Sequence, residues 1–215
     1  MLDEFGIIHW VDGGSLLGLV REGRLLSHDT DIDLSTTDEF RPQVERFAAH
    51  LRSSGWIVAG RYYRGRLYKL KAWKTDGSGE RAIDIAIFRR VDRHYWMPSV
   101  KLRPGLEVPS TPGRKRALLA QRRLLTKLVG KTWAPRRPYS RFWRQFYGFA
   151  VWWIPEEFFQ SFDVIEGTRI RIPSDAEGYL RHRYGDWKTP TRNWLFYRDD
   201  PFFKLDPIGE QLPVE

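Results

Sequence analysis

The sequence predicts an α+β fold: a mixed sheet core flanked by helices, followed by a mainly helical, aromatic-rich C-terminal part. Three observations predict it. Short β-branched or alternating runs are interleaved with stretches of helical period over residues 1–95. A proline cluster, Pro98, Pro104, Pro109 and Pro112, then interrupts the pattern. Beyond it, helical period and aromatic residues dominate. The expected division is a catalytic core over 1–95 and a C-terminal part over 96–215 packed on it as one structural domain. A chain of 215 residues can bury one substantial core, or one core with an appendage.

The elements follow in order. Ile7 to Val11 is apolar and β-branched and reads as a strand. Asp12-Gly13-Gly14 breaks it, and Ser15 is placed to cap a short helix carrying Leu16, Leu17, Leu19 and Val20 up to Gly23. Thr30-Asp31-Ile32-Asp33-Leu34 alternates polar with apolar, as a strand with one dry face does. Asp38 to Ser53 places Val44, Phe47, Ala48 and Leu51 on one helical face, with Gly55 as the stop. Trp56–Ala59, Arg66–Trp73 and Arg81–Phe88 read as strands, the last two joined by a hairpin turn at Thr75–Gly79.

After the prolines, Gly113–Lys131 reads as a basic helix. Leu118, Leu119, Leu125, Leu128 and Val129 form its apolar side, and Arg114, Lys115, Arg116, Arg122, Arg123, Lys127 and Lys131 are its charges. That face is either solvated or a contact for phosphates or lipid headgroups. Tyr139–Phe162 crowds Phe142, Trp143, Phe146, Tyr147, Phe149, Trp152 and Trp153 together, for core packing or for peripheral membrane docking. A last helix starts at Ser174, a capping-box match with Glu177, and ends at Tyr184-Gly185.

Composition narrows the function. A net charge of +9 favours an anionic partner: a nucleotide, a glycan, a membrane surface or nucleic acid, the last ranked lowest. No cysteine is present, which excludes disulfides and thiolate metal sites. The histidines are scattered without i, i+4 pairs, which argues against a zinc cage. The first ten residues lack the pattern of a signal peptide, and no run has the length of a spanning helix, so the expectation is a cytoplasmic protein, peripheral on the inner membrane face if it touches a membrane.

The chemistry-bearing residues gather around Gly13–Asp33. Asp31 and Asp33 point the same way on a strand, because side chains repeat every two residues; Asp29 joins them if the strand extends that far. Asp84 sits in the apolar run Ala82-Ile83-Asp84-Ile85-Ala86-Ile87, where an unpaired carboxylate is expensive. Like charges this close call for a cation among them, Mg²⁺ with Mn²⁺ as the alternative. The Gly13-Gly14-Ser15 turn at a helix start is suited to hold a phosphate, Arg21 to clamp one, and His28, beside the acids, to orient it.

These residues resemble a known family. Gly13-Gly14-Ser15, Asp31-Ile32-Asp33-Leu34 and Ile83-Asp84-Ile85 are similar to the nucleotidyltransferase fold of the polymerase β type. The fuller string Asp12-Gly13-Gly14-Ser15-Leu16-Leu17-Gly18, Arg21 and His28-Asp29-Thr30-Asp31-Ile32-Asp33 resembles the LicD and fukutin group within it. So do Tyr179-Leu180, Tyr184-Gly185, Trp187-Lys188-Thr189-Pro190 and Asn193-Trp194 near the C-terminus, although His28 stands where the family usually has Trp.

The resemblance implies a phosphotransferase. It would move phosphocholine, a phospho-alditol or a similar group from a CDP-linked donor to a hydroxyl of a cell-surface glycan, free or lipid-linked, and release CMP. Asp31, Asp33 and Asp84 would be its catalytic carboxylates and metal ligands, with Asp29 as a further ligand. Two other classes use the same features: transfer of a nucleoside monophosphate to a small molecule, RNA or protein, and a non-enzymatic basic module that binds nucleic acid or membrane.

Overall fold

The computed structural model describes residues 1–63, 65–75, 81–102, 147–191 and 194–206. Its elements are β1 (His9–Val11), α1 (Gly13–Glu22), β2 (Asp31–Thr37), α2 (Arg41–Ser53), β3 (Ile57–Tyr63), β4 (Arg66–Trp73), β5 (Ala82–Val91), β6 (His94–Leu102), β7 (Tyr147–Pro155), β8 (Phe162–Val164), β9 (Arg171–Pro173), α3 (Ala176–Tyr184), α4 (Phe196–Asp199) and β10 (Phe203–Asp206). Helices and a mixed sheet make this an α+β protein, as the sequence predicts. Its described C-terminal residues contribute four strands beside α3 and α4.

The chain divides into two compact units. Met1–Arg61, Leu67–Met97 and Trp152–Lys204 form the first, which holds every residue of the candidate site. Tyr62–Arg66, Pro98–Val151 and Leu205–Glu215 form the second. The Thr75–Gly79 turn beyond Thr75, the basic helix, Phe142, Trp143, Phe146, Arg192 and Asn193 lie outside the described residues.

In the sheet, β2 runs parallel to β5 and antiparallel to β1, and β4 is antiparallel to β5. Farther along, β5 turns over to pair with β6 through Arg89, Arg90 and Val91. Trp153 of β7 stacks on His94 at 4.7 Å, and its backbone N–H donates to the Phe202 carbonyl.

Alternation sets the two faces of the sheet. On one, Leu70, Ala72, Ile85 and Ile87 meet Val44, Phe47, Ala48 and Leu51 of α2, all buried, with Leu2 and Ile7 closing the core. This is the helical face that the spacing in α2 predicts. Burying a side chain of this kind contributes about 1.5–3 kcal/mol. The opposite face is left to the polar members of the same strands, and the candidate site lies there.

Several boundaries differ from expectation. β1 begins at His9, because the chain first turns through Asp3–Phe5 and the Ile7 N–H donates to Leu2. A 3-10 turn over Asp38–Phe40 precedes α2, which carries Pro42 in its first turn. α1 is capped by Asp12 and not by Ser15: the Gly13 N–H donates to Asp12 Oδ1 at 2.6 Å, whereas the Ser15 hydroxyl accepts from the Asp33 N–H at 2.9 Å. α3 is capped by Asp175, which accepts from the Gly178 N–H at 2.9 Å; the Ser174 hydroxyl donates instead to Asp163. Among the described residues, no helix is long and apolar enough to cross a membrane.

Candidate active site

The site starts where β1 turns into α1. Gly13 adopts φ +57°, in the left-handed region that glycine tolerates. A Cβ there would lie 2.7 Å from Asp33 Oδ2, and a Cβ at Gly14 would lie 2.7 Å from Asp29 Oδ2. The two glycines therefore let two carboxylates settle on the start of the helix. The Gly14 N–H donates to Asp33 Oδ2 at 3.0 Å, where the helix dipole favours negative charge.

The donors of the turn are engaged within the chain. The Gly13 and Gly14 N–H groups and the Ser15 hydroxyl engage Asp12 and Asp33 of the chain itself, and Ser15 is fully buried. They hold the acids in place in the structure described. Arg21 is not brought to the turn either. It lies eight residues along α1, about 12 Å on at the helical rise. Its Nη1 donates to the Trp187 carbonyl at 3.2 Å and its Nη2 to Glu22 at 3.0 Å, so it ties the end of α1 to the loop after α3.

The parallel register places Asp33 opposite Asp84 and Asp31 opposite Ala82. Directly paired residues share a face, so Asp31, Asp33 and Asp84 form one acidic patch. Asp84 is buried, while its neighbours Ile83 and Ile85 turn to the core. Asp29 lies outside β2, in the loop before it, with its N–H bound to the Leu26 carbonyl. His28 is exposed beside it.

Burial pushes the Asp33 carboxyl up to about 6; Lys69 works against the shift, while Asp12, Asp84 and Asp31 add to it. Burial also raises Asp29, helped by Asp31 and opposed by His28 and Arg81.

Two lysines of β4 face the patch. Lys71 Nζ donates to Asp31 Oδ2 at 2.6 Å, a bond that raises the lysine above its ordinary range. Lys69 Nζ stands 3.1 Å from Asp84 Oδ1, close enough for an ion pair but without hydrogen-bond geometry.

The patch can be tested for a divalent cation. Among the described residues, no group of three or more His, Cys, Asp or Glu side chains is placed to hold a metal ion by itself. The donor set nevertheless fits Mg²⁺ chemistry, which uses one or two carboxylates and leaves the other positions to water and substrate phosphate. All the donors are oxygens, they repel one another, and Asp29 Oδ2 and Asp84 Oδ1 are buried oxygens without a hydrogen-bond partner. The ligands would come from Asp31, Asp33 and Asp84 on the strand face, with Asp29 approaching from the loop.

One part of the site escapes sequence reasoning. Asp12 Oδ1 accepts from the Tyr179 hydroxyl at 2.7 Å and from Arg183 Nη1 at 2.9 Å; Asp12 Oδ2 accepts from the Ser35 hydroxyl at 2.7 Å. Arg183 Nε donates to Asp200 Oδ2 at 2.8 Å. Burial pushes the Tyr179 phenol well above its usual range, so it remains a donor. Arg183 also packs against the Trp152 ring at 4.9 Å. Tyr179 and Arg183 stand four apart on one face of α3, and that spacing beside a capping aspartate is the one signal that could have shown the network.

Residues 6–110 match the family described as LicD/FKTN/FKRP, nucleotidyltransferase domain. A comparison with curated proteins finds no match. Among solved structures, ANT(2'')-Ia in complex with adenylyl-2''-tobramycin is similar at 26% identity over 43% of this chain and 47% of that chain, with a TM-score of 0.30. The chain thus spans about half the length of that protein. A solution structure of the antibiotic-resistance factor ANT(2'')-Ia is similar at 21% identity over 60% of this chain and 68% of that one, with a TM-score of 0.32. At such TM-scores the superpositions are loose, and the fold assignment rests on the sheet and the family match.

Proposed function

Residues 6–110 belong to the LicD/FKTN/FKRP family of nucleotidyltransferase-type domains, and from that premise we propose that the chain is a Mg²⁺-dependent phosphotransferase. Its donor would be CDP-linked, carrying phosphocholine, a phospho-alditol or a similar group. Its acceptor would be a hydroxyl of a cell-surface glycan. A lipid-linked acceptor would bring the chain to the inner membrane face.

The observation that supports this reading most directly is the parallel pairing of Asp33 with Asp84, beside Asp31 and over the start of α1. The acceptor oxygen would attack the distal phosphorus of the donor. The bond from that phosphorus to the bridging oxygen would break, and CMP would leave with the oxygen. The acceptor proton needs a base within reach. Asp84, opposite Asp33 on the same face, would accept it through whichever oxygen the cation leaves free. Asp31 and Asp33 would hold a divalent cation beside the reacting phosphate. A bound divalent cation supplies charge neutralisation for the phosphoryl group and the leaving CMP.

The test incubates the purified protein with CDP-choline, CDP-ribitol or CDP-glycerol and a glycan acceptor, and follows CMP. Metal-dependent release is expected with one of them. Asp33→Asn and Asp84→Asn should each lower turnover by about 10²-fold or more, the scale of losing one transition-state contact, with the thermal melt still cooperative. No CMP from any donor, or full activity in both variants, overturns the proposal. Nucleotide found covalently on the acceptor would replace it with nucleotidyl transfer.

A further inference from the structure

The lysines facing the acids have no part in the reaction outlined above. Their place is set by the pleat. β4 pairs antiparallel with β5 so that Lys71 lies opposite Asp84 and Lys69 opposite Ala86. Leu70 and Ala72, alternating with them, are in the core. A one-residue slip would bury both ammonium groups and expose the core residues, so the register that builds the core also fixes the lysines on the acidic face.

Their environment is unusual for lysines on a sheet. Lys71 is bonded to Asp31 and also lies in the field of Asp84 and Asp33. Lys69 pairs with Asp84 and acts on Asp33. Each ammonium therefore serves more than one carboxylate. Both remain reachable from solvent, with side chains 42% exposed for Lys71 and 28% for Lys69. A lysine head is a compact charge on a flexible stem, able to swing by several ångströms without backbone movement.

A divalent cation bound at these carboxylates competes with the ammonium groups for the same oxygens. The cation carries twice the charge and repels them. Once displaced, two cations on flexible stems lie beside a site whose substrate is an anionic diphosphate. We propose that Lys69 and Lys71 are exchangeable counter-ions: they neutralise Asp84 and Asp31 in the metal-free protein, yield these carboxylates to a divalent cation, and then bind the phosphates of the donor. The proposal rests on the metal-dependent reading of the same site, but it concerns binding alone.

The experiment uses the intact chain, Mn²⁺ and inorganic pyrophosphate. Amine acetylation read by mass spectrometry reports each lysine. Labelling of Lys69 and Lys71 should rise when Mn²⁺ is added and fall when pyrophosphate follows. Calorimetry of Lys71→Met and Lys69→Met gives the second readout. Each variant should bind Mn²⁺ about two- to fivefold more tightly, the fold-change of losing an accessible ion pair. Each metal-loaded variant should bind pyrophosphate about tenfold or more weakly, as expected for a lost charged hydrogen bond.

Labelling that stays constant or falls with metal bound overturns the proposal, as does weaker Mn²⁺ binding or unchanged pyrophosphate binding in the variants. A wild-type protein that binds neither probe overturns this proposal together with the metal-dependent reaction. The expected exchange without CMP release from any donor overturns the proposed reaction and leaves the counter-ions standing.

Discussion

Replacing Arg183 with methionine should destabilise the protein strongly. Arg183 is 9% exposed and bridges two carboxylates that are also buried, Asp12 at 6% and Asp200 at 3%. Removing one partner of a buried ion pair typically costs about 3–5 kcal/mol, because the other charge stays behind. Two features limit the loss here. Asp12 keeps its bonds from Gly13, Tyr179 and Ser35. Asp200 is already raised by burial and can take up a proton when its guanidinium is gone. The expected loss is therefore near the lower end, about 3 kcal/mol. Tyr179→Phe removes one hydroxyl from the same Asp12 oxygen and should cost about 1–2 kcal/mol. Because Arg183 also donates to the Tyr179 oxygen at 2.9 Å, the double variant should depart from additivity by about 0.5 kcal/mol or more. Urea unfolding followed by circular dichroism measures all three. If Arg183→Met lies within about 1 kcal/mol of wild type, the network does not carry the charge balance assigned to it. Tyr179→Phe keeps the reasoning testable should Arg183→Met not fold.

Two further predictions concern Asp33 and the glycine turn at the start of α1. Asp33 is pushed from an ordinary 3.8 to about 6. The folded state thus holds this proton more tightly, and the stability it contributes is full below about 4 and lost as pH rises through about 6. Asp33→Asn should therefore be more stable than metal-free wild type at pH 7, by an amount on the order of 3 kcal/mol, with the difference closing toward pH 4; equal stability at pH 7 would contradict the shift. At the turn, Gly13→Ala combines a φ of +57° with a Cβ 2.7 Å from Asp33, whereas Gly14→Ala meets only the loop carboxylate of Asp29. Gly13→Ala should lose more stability, about 1–2 kcal/mol from the left-handed backbone alone, and more turnover than Gly14→Ala. The reverse order in melts and CMP release would place the key contact at Asp29.

What the sequence discloses depends on how local the determining interaction is. Asp31 and Asp33 share a face because of a two-residue period, and Asp84 stands out because its immediate neighbours are apolar. Both facts lie within a few residues of sequence. Lys69 and Lys71 look like any polar members of an amphipathic strand until the pairing of β4 with β5 shows what they face. The Asp12 network joins Ser35, Tyr179, Arg183 and Asp200 across most of the chain, and no window of sequence contains it. The helix caps fail for a related reason. Ser15 and Ser174 are sound caps by type, but Asp33 and Asp163 engage them in the fold, so the adjacent aspartates take over. Arg21 follows the turn closely in sequence, but eight residues of helix set it about 12 Å along α1, where the Trp187 carbonyl engages it.

Asp12 and Asp33 show how one helix start can serve two ends. Both carboxylates accept an N–H from the first turn of α1, and both are withdrawn from water. Asp12 is surrounded by a guanidinium, a phenol and a serine hydroxyl, a complete set of donors supplied by the fold. Nothing is left for a ligand to add there, so its role is to fix the turn and α3 in register. Asp33 receives one N–H; burial first, and then the charges of Asp12, Asp84 and Asp31, push its carboxyl up to about 6. An anion that the fold leaves undercompensated is stabilised most by a cation from outside. The same deficit that lowers the stability of the protein at neutral pH would become binding energy for a divalent cation of the kind proposed above. Completing the donor set of Asp33 would stabilise the fold and weaken the site.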